Sequence, residues 1–300
     1  MSEPRSVKEL LELGERVLAD SSARFEDHDD FYEAQQLLAS ALRISDEEAE
    51  DLPDELEPPL RARERYLSYI ARRAGGEPQP FIRGKIEFYG LELKVRPGAF
   101  VPRPSSELTV ERAVKKLRGR KHPIVVDVCT GAGPIALAIG HEVPGARVWG
   151  TDIQDEGLKV GRENARRLGI RNTTFKQGDM YGTLPAALKG KVDVVTGHVP
   201  YVPLGELDDL PDEVKNHEPV FTLTDNSDDG LSLVLHALEG SVDLLKPGGW
   251  LLLEMSDDTA DLITDDVARV GLENLHVATD DDGLSVVVEA RMPSARKASR

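Results

Sequence analysis

Three aspartates mark places where this sequence could do chemistry. Asp127 lies inside the apolar run Val125 to Val128, Asp152 follows Arg147 to Gly150, and Asp179 follows Thr174 to Lys176. Carboxylates at the ends of successive strands accept hydrogen bonds from the amino and hydroxyl groups of a nucleoside-bearing cofactor. After the first comes Thr130-Gly131-Ala132-Gly133-Pro134, a glycine turn that lets a ligand press against the backbone, then a helix with Pro134 in its first turn. A fourth run, Val192 to Val195, ends in Thr196-Gly197-His198-Val199-Pro200-Tyr201. It puts an imidazole, a proline and a phenol at a strand's carboxyl end. There a neutral imidazole accepts one hydrogen bond and takes up a proton from a reacting nitrogen.

Two cofactors suit the glycine turn. Gly131 to Ala136 fits the dinucleotide pattern G-x-G-x-x-A, and Asp152 follows at a distance that permits NAD. Asp127 inside its strand and Gln177-Gly178-Asp179-Met180 after the third strand favour S-adenosylmethionine instead. The first acid then meets the cofactor's amino-acid end, and the last accepts from the adenine amino group. The cofactor residues on this reading are Asp127, Thr130, Gly131, Gly133, Asp152, Ile153, Asp179, Met180 and His198. Cys129 reads as a small packing residue, not a nucleophile.

These residues need a sheet to align them. From Ile124 onward the strand-like runs Ile124 to Val128, Arg147 to Gly150, Thr174 to Lys176, Val192 to Val195, Trp250 to Glu254 and Leu284 to Ala290 alternate with helical stretches. That alternation predicts an α/β fold with a doubly wound, mostly parallel, Rossmann-like sheet. Ahead of it, Val7, Leu10, Leu11 and Leu18, then Leu37, Leu38 and Leu42, then Leu60, Tyr66, Leu67 and Ile70 recur at helical spacing. Phe81 to Val101 alternates apolar and polar residues around Tyr89-Gly90, as a β-hairpin does. The net charge of −17 disfavours a nucleic-acid partner, and the single cysteine rules out an intrachain disulfide or a cysteine-based zinc site. The transfer chemistry calls for no metal. The opening residues lack the basic and apolar regions of a signal peptide, and no run reaches membrane-spanning length, so a cytoplasmic protein with no membrane partner is expected.

Motifs in this order resemble those of the family that methylates the glutamine of peptide-chain release factors. They are Ala71 to Pro78, Gly84 to Gly90, Val101-Pro102-Arg103-Pro104-Ser105-Ser106-Glu107, His217-Glu218-Pro219 and Asp228-Asp229-Gly230-Leu231. The resemblance implies a class I methyltransferase with a helical substrate or lid domain at 1–78, a hairpin hinge at 79–103 and a catalytic domain at 104–300. It implies S-adenosylmethionine as methyl donor, leaving as S-adenosylhomocysteine, with His198, Pro200 and Tyr201 catalytic and Phe100, Arg103, Glu107, Val199, Tyr201 and Glu218 at the substrate.

The chain departs from the family's pattern at two places. Serines stand at 105 and 106 within the Pro-Arg-Pro-Glu-Thr-Glu motif, and His198-Val199-Pro200-Tyr201 stands for Asn-Pro-Pro-Tyr. An asparagine carboxamide matches a substrate amide by donating and accepting in one plane, which an imidazole cannot do. A histidine suits an amine or guanidinium that sheds a proton, held by acids such as Glu107, Glu218, Asp228 and Asp229. In this the chain resembles arginine N-methyltransferases of natural-product pathways. The expected substrate is therefore small and cationic, free L-arginine, with a release-factor glutamine as the alternative and cofactor binding without catalysis as a third.

Overall fold

The computed structural model describes residues 4–23, 29–280 and 286–294. The chain divides into two compact units, 1–85 with 208–218, and 86–207 with 219–300.

The first unit is helical: Val7–Ala19, Asp30–Leu42, Asp46–Glu50, Leu60–Ala74 and Gln79–Arg83, joined from far along the chain by Asp212–His217. Ser6 begins it with a capping box, its hydroxyl accepting from the Glu9 amide while the Glu9 carboxylate accepts from the Ser6 amide. Leu10, Leu37, Leu38, Tyr66 and Ile70 are buried together, so the helical spacing in the sequence maps onto one core. Tyr66 is fully buried and donates its hydroxyl to the Leu10 carbonyl at 3.0 Å, which satisfies the one polar atom it carries inward.

Arg73 is 2 % exposed, and its guanidinium holds Glu33 at 2.6 and 2.9 Å and Glu213 at 2.6 Å. That double pairing explains why 208–218 belongs with the N-terminal helices, a membership invisible to a sequence division that assigns all of 104–300 to the catalytic domain.

The second unit opens with the hairpin β1 (Lys85–Phe88) and β2 (Leu91–Lys94). Its turn residues Tyr89 and Gly90 have φ of 49° and 70°, the left-handed pair that a tight two-residue hairpin requires. The helix Ser106–Leu117 follows. Seven further strands make one sheet: β3 (Ile124–Val128), β4 (Arg147–Asp152), β5 (Thr173–Gln177), β6 (Val192–His198), β7 (Leu245–Met255), β8 (Glu273–Thr279) and β9 (Val286–Arg291). Their order is β5-β4-β3-β6-β7-β9-β8, with β9 antiparallel to both neighbours and the other pairings parallel.

Successive residues of the central strands feed opposite faces. Val125, Val194 and Leu252 join one core with Leu137 and Leu158, and Val126, Val195, Leu251 and Leu253 join the other with Leu238. Burial on both faces is what makes these strands read as unbroken apolar runs. From β3 the chain passes to β4 on one side and later to β6 on the other, so a cleft opens at the carboxyl ends of these strands.

The strands foreseen from the sequence are present, β3 with the bounds expected and β4 to β7 extended by two to six residues; the last was expected to begin at Leu284, and residues 284–285 lie outside the described residues. β8 was not foreseen. As an edge strand with four of its seven residues polar, it lacks the apolar run that marks a buried one. No helix among the described residues is long and apolar enough to cross a membrane.

Removing the buried Arg73 leaves Glu33 and Glu213 facing each other without their cation. Arg73→Ala is expected to destabilise the helical unit by about 3–5 kcal/mol, read as a lower urea midpoint of helical circular dichroism.

Candidate active site

A cavity of about 290 Å³ sits at the carboxyl ends of β3, β4 and β6. Asp127 forms its floor at 1 % exposure. Its Oδ1 accepts from the Thr196 hydroxyl at 2.7 Å, and its Oδ2 accepts from the Thr130 hydroxyl. Burial pushes this carboxyl up to about 7 despite those two donors.

Asp152 holds the glycine turn in place. Its Oδ2 accepts from the Gly131 amide and its Oδ1 from the Gln154 amide, both at 2.9 Å. Burial raises its pKa, and these amides partly offset the rise. Asp179 and Met180 reach the cavity from the end of β5, and Ile153, half exposed, adds an apolar surface beside Asp152.

The turn leaves space where a cofactor needs it. Gly131 has φ of 54° and lines the cavity, and a Cβ built on it would meet nothing of the protein within 4 Å, only the cavity itself. A carboxylate floor, a cradle free of side chains and an apolar ledge fit a nucleoside bearing a cationic amino-acid end. Gly133 serves packing: its φ is 77°, and a Cβ there would come within 2.5 Å of the Phe175 ring. Cys129 lines the cavity with its thiol pushed far up by burial, so it stays protonated and inert.

His198 ends β6 and lines the same cavity. The Phe100 ring meets it edge-on at 5.3 Å, and Tyr201 stacks on it at 5.7 Å with 15° between planes. Its Nδ1 is 3.2 Å from the Ser106 hydroxyl and 3.5 Å from Glu254 Oε2. Pro200 lines the cavity, as does Arg103, whose guanidinium lies 4.4 Å above the Phe100 ring.

Five sequence candidates stand outside the lining. Val199 is 1 % exposed within the second core, and Tyr201 acts behind His198 and not at the cavity wall. Gly133 packs on Phe175, and Glu107 is turned to the hairpin, accepting from the Tyr89 amide at 2.7 Å. Glu218 belongs to the helical unit, buried after Asp212–His217. Of the other acids expected to clamp a cation, Asp229 accepts from the Ser227 hydroxyl at 3.0 Å and the Leu231 amide at 3.1 Å, and Asp228 does not line the cavity. None of these four acids lines the cavity. Sequence reasoning missed Ser106, Thr196 and Glu254. Glu254 carried the same signal as Asp152, an acid at the end of an apolar strand, and Thr196 is the register partner of Asp127.

The chain is similar to known methyltransferases. A family described as "Methyltransferase domain" matches residues 120–275. A release factor glutamine methyltransferase from Moorella thermoacetica is 38 % identical, covering 73 % of this chain and 76 % of that protein. One from Burkholderia pseudomallei is 34 % identical over 88 % and 93 %. A protein from Streptomyces pristinaespiralis named 4-amino-L-phenylalanine/4-methylamino-L-phenylalanine methyltransferase is 36 % identical over 63 % and 65 %. Among solved structures, a Pyrococcus furiosus methyltransferase has a TM-score of 0.51 at 16 % identity, covering 77 % of this chain and 98 % of that one. The Thermus thermophilus 16S rRNA N2 G1207 methyltransferase with AdoMet and guanosine has 0.52 at 15 % identity, covering 69 % and 49 %. These two are likenesses of fold.

Two outcomes follow. Gly131→Ala is expected to weaken S-adenosylmethionine binding at least about tenfold by calorimetry while Gly133→Ala acts chiefly on the thermal midpoint. Asp127, raised to about 7 in the fold, binds a proton there that the unfolded chain has released above its ordinary value of 3.8. Its contribution to the ligand-free protein's stability is thus fully present below about pH 4 and falls as pH rises toward about 7. Asp127→Asn is expected to lack that part of the slope in urea titrations across this range.

Proposed function

The chain belongs to the release factor glutamine methyltransferase family, and on that premise we propose that it methylates the side-chain amide nitrogen of a glutamine in a peptide-chain release factor. It is an S-adenosylmethionine-dependent methyltransferase with the class I Rossmann-like fold. The observation that carries the acceptor is the make-up of the slot at His198. Besides the three aspartates on the cofactor side and the Arg103 guanidinium, its lining offers one imidazole, met edge-on by the Phe100 ring, and no further carboxylate. A neutral, planar amide enters such a slot without a counter-charge, whereas a guanidinium demands one.

When bound, S-adenosylmethionine supplies a methyl group on a cationic sulfur. Asp127, Asp152 and Asp179 hold its polar groups, and Gly131 gives it backbone to lie against. Phe100 and Pro200 line the slot and would restrict where the acceptor nitrogen lies, and such positioning supplies most of the acceleration in a direct transfer. His198 accepts a hydrogen bond from that nitrogen. The imidazole would take the nitrogen's proton as the methyl group is transferred, and pass it to water.

A second reading, N-methylation of a small cationic amino acid such as free L-arginine, draws on His198 standing where the family carries asparagine. The relative from Streptomyces pristinaespiralis, named for an amine-bearing amino acid, supports it too.

Purified protein incubated with S-adenosylmethionine and a release factor is expected to leave one methyl group on a glutamine-containing peptide, read by mass spectrometry, and His198→Ala to lower kcat about 100-fold. Methylated free arginine beside an unmodified release factor would establish the second reading instead.

A further inference from the structure

We propose that Glu254 is a positioning residue for His198, fixing the ring proton on Nδ1 so that Nε2 keeps its lone pair for the acceptor nitrogen. The proposal rests on His198 as the group that faces the acceptor. β6 and β7 run parallel with His198 directly opposite Glu254 in register, which brings both side chains to the carboxyl end of the sheet. Glu254 Oε2 lies 3.5 Å from His198 Nδ1, with the glutamate side chain 4 % and the imidazole 17 % exposed. The Ser106 hydroxyl is 3.2 Å from the same nitrogen.

The glutamate is itself held. Oε1 accepts from the Ser105 hydroxyl at 2.8 Å and Oε2 from the Thr109 hydroxyl at 3.5 Å. Ser105 occupies the cap position of the helix Ser106–Leu117, yet its side chain caps nothing there, because its hydroxyl is turned to Glu254.

A carboxylate oxygen only accepts. An unprotonated Nδ1 opposite it would set lone pair against lone pair, so the proton belongs on Nδ1 and the serine hydroxyl shares it as second acceptor. Phe100 and Tyr201 fix the plane of the ring. Carboxylate and rings together determine which nitrogen is basic and where it sits, as a buried acid does for histidine in other proton-transfer sites.

The direct test is nitrogen NMR of the full chain labelled at histidine, with the His198 signals assigned by their loss in His198→Asn. With the imidazole neutral, the wild-type protein is expected to show a protonated Nδ1 and an unprotonated Nε2. In Glu254→Gln the two shifts are expected to move toward a mixed tautomer, and kcat to fall about ten- to a hundredfold with KM and cofactor affinity changed less than about twofold. Glu254→Asp, which keeps the carboxylate, is expected to recover part of both. An Nε2-protonated wild type, or an unchanged tautomer in Glu254→Gln, overturns the proposal. Absence of turnover on a release factor would overturn the reading of function and leave the tautomer result to decide this one.

Discussion

A carboxyl group in the middle strand of a parallel sheet, cut off from water, persists only if its oxygens find donors. Asp127 solves this with two threonine hydroxyls, and the rest of the site depends on that solution. Thr130 lies in the glycine turn that lines the cavity, and Thr196 lies two residues before His198 on β6. One buried acid therefore ties the donor side of the cavity to the acceptor side. Asp152 extends the tie across β4 by gripping the Gly131 amide.

The sheet and much of the cavity lining were legible in the sequence. Strands buried on both faces announce themselves as apolar runs, and an acid or glycine interrupting such a run is conspicuous because core positions rarely tolerate one. Asp127, Gly131, Asp152 and Asp179 stood out for that reason, and each lines the cavity. Features whose logic is tertiary were hidden. β8 is an edge strand without an apolar run. The membership of 208–218 in the helical unit follows from Arg73, whose partner Glu213 is remote in sequence. Ser105 and Ser106 stood in the sequence only as departures from a motif, and their partners Glu254 and His198 lie far along the chain.

The substrate shows the same limit from the other side. Acidity near a motif suggested a clamp for a cation, yet Glu107 holds the hairpin, Asp229 a turn, and Glu218 lies in the other unit. Proximity in sequence did not become proximity in space. The two departures from the family's motifs do meet, since Ser106 touches His198 and Ser105 touches the glutamate behind it. The imidazole is thus a supported group, in a cavity whose lining holds the Arg103 guanidinium and, beyond the three aspartates, no carboxylate.

A crystal structure with S-adenosylhomocysteine and a glutamine-bearing peptide from a release factor tests the central claim most directly. The account predicts the spent cofactor over Asp127 and Gly131, and the glutamine amide nitrogen within about 3 Å of His198 Nε2. An amide nitrogen bound away from His198, with the imidazole facing no part of the peptide, would contradict it.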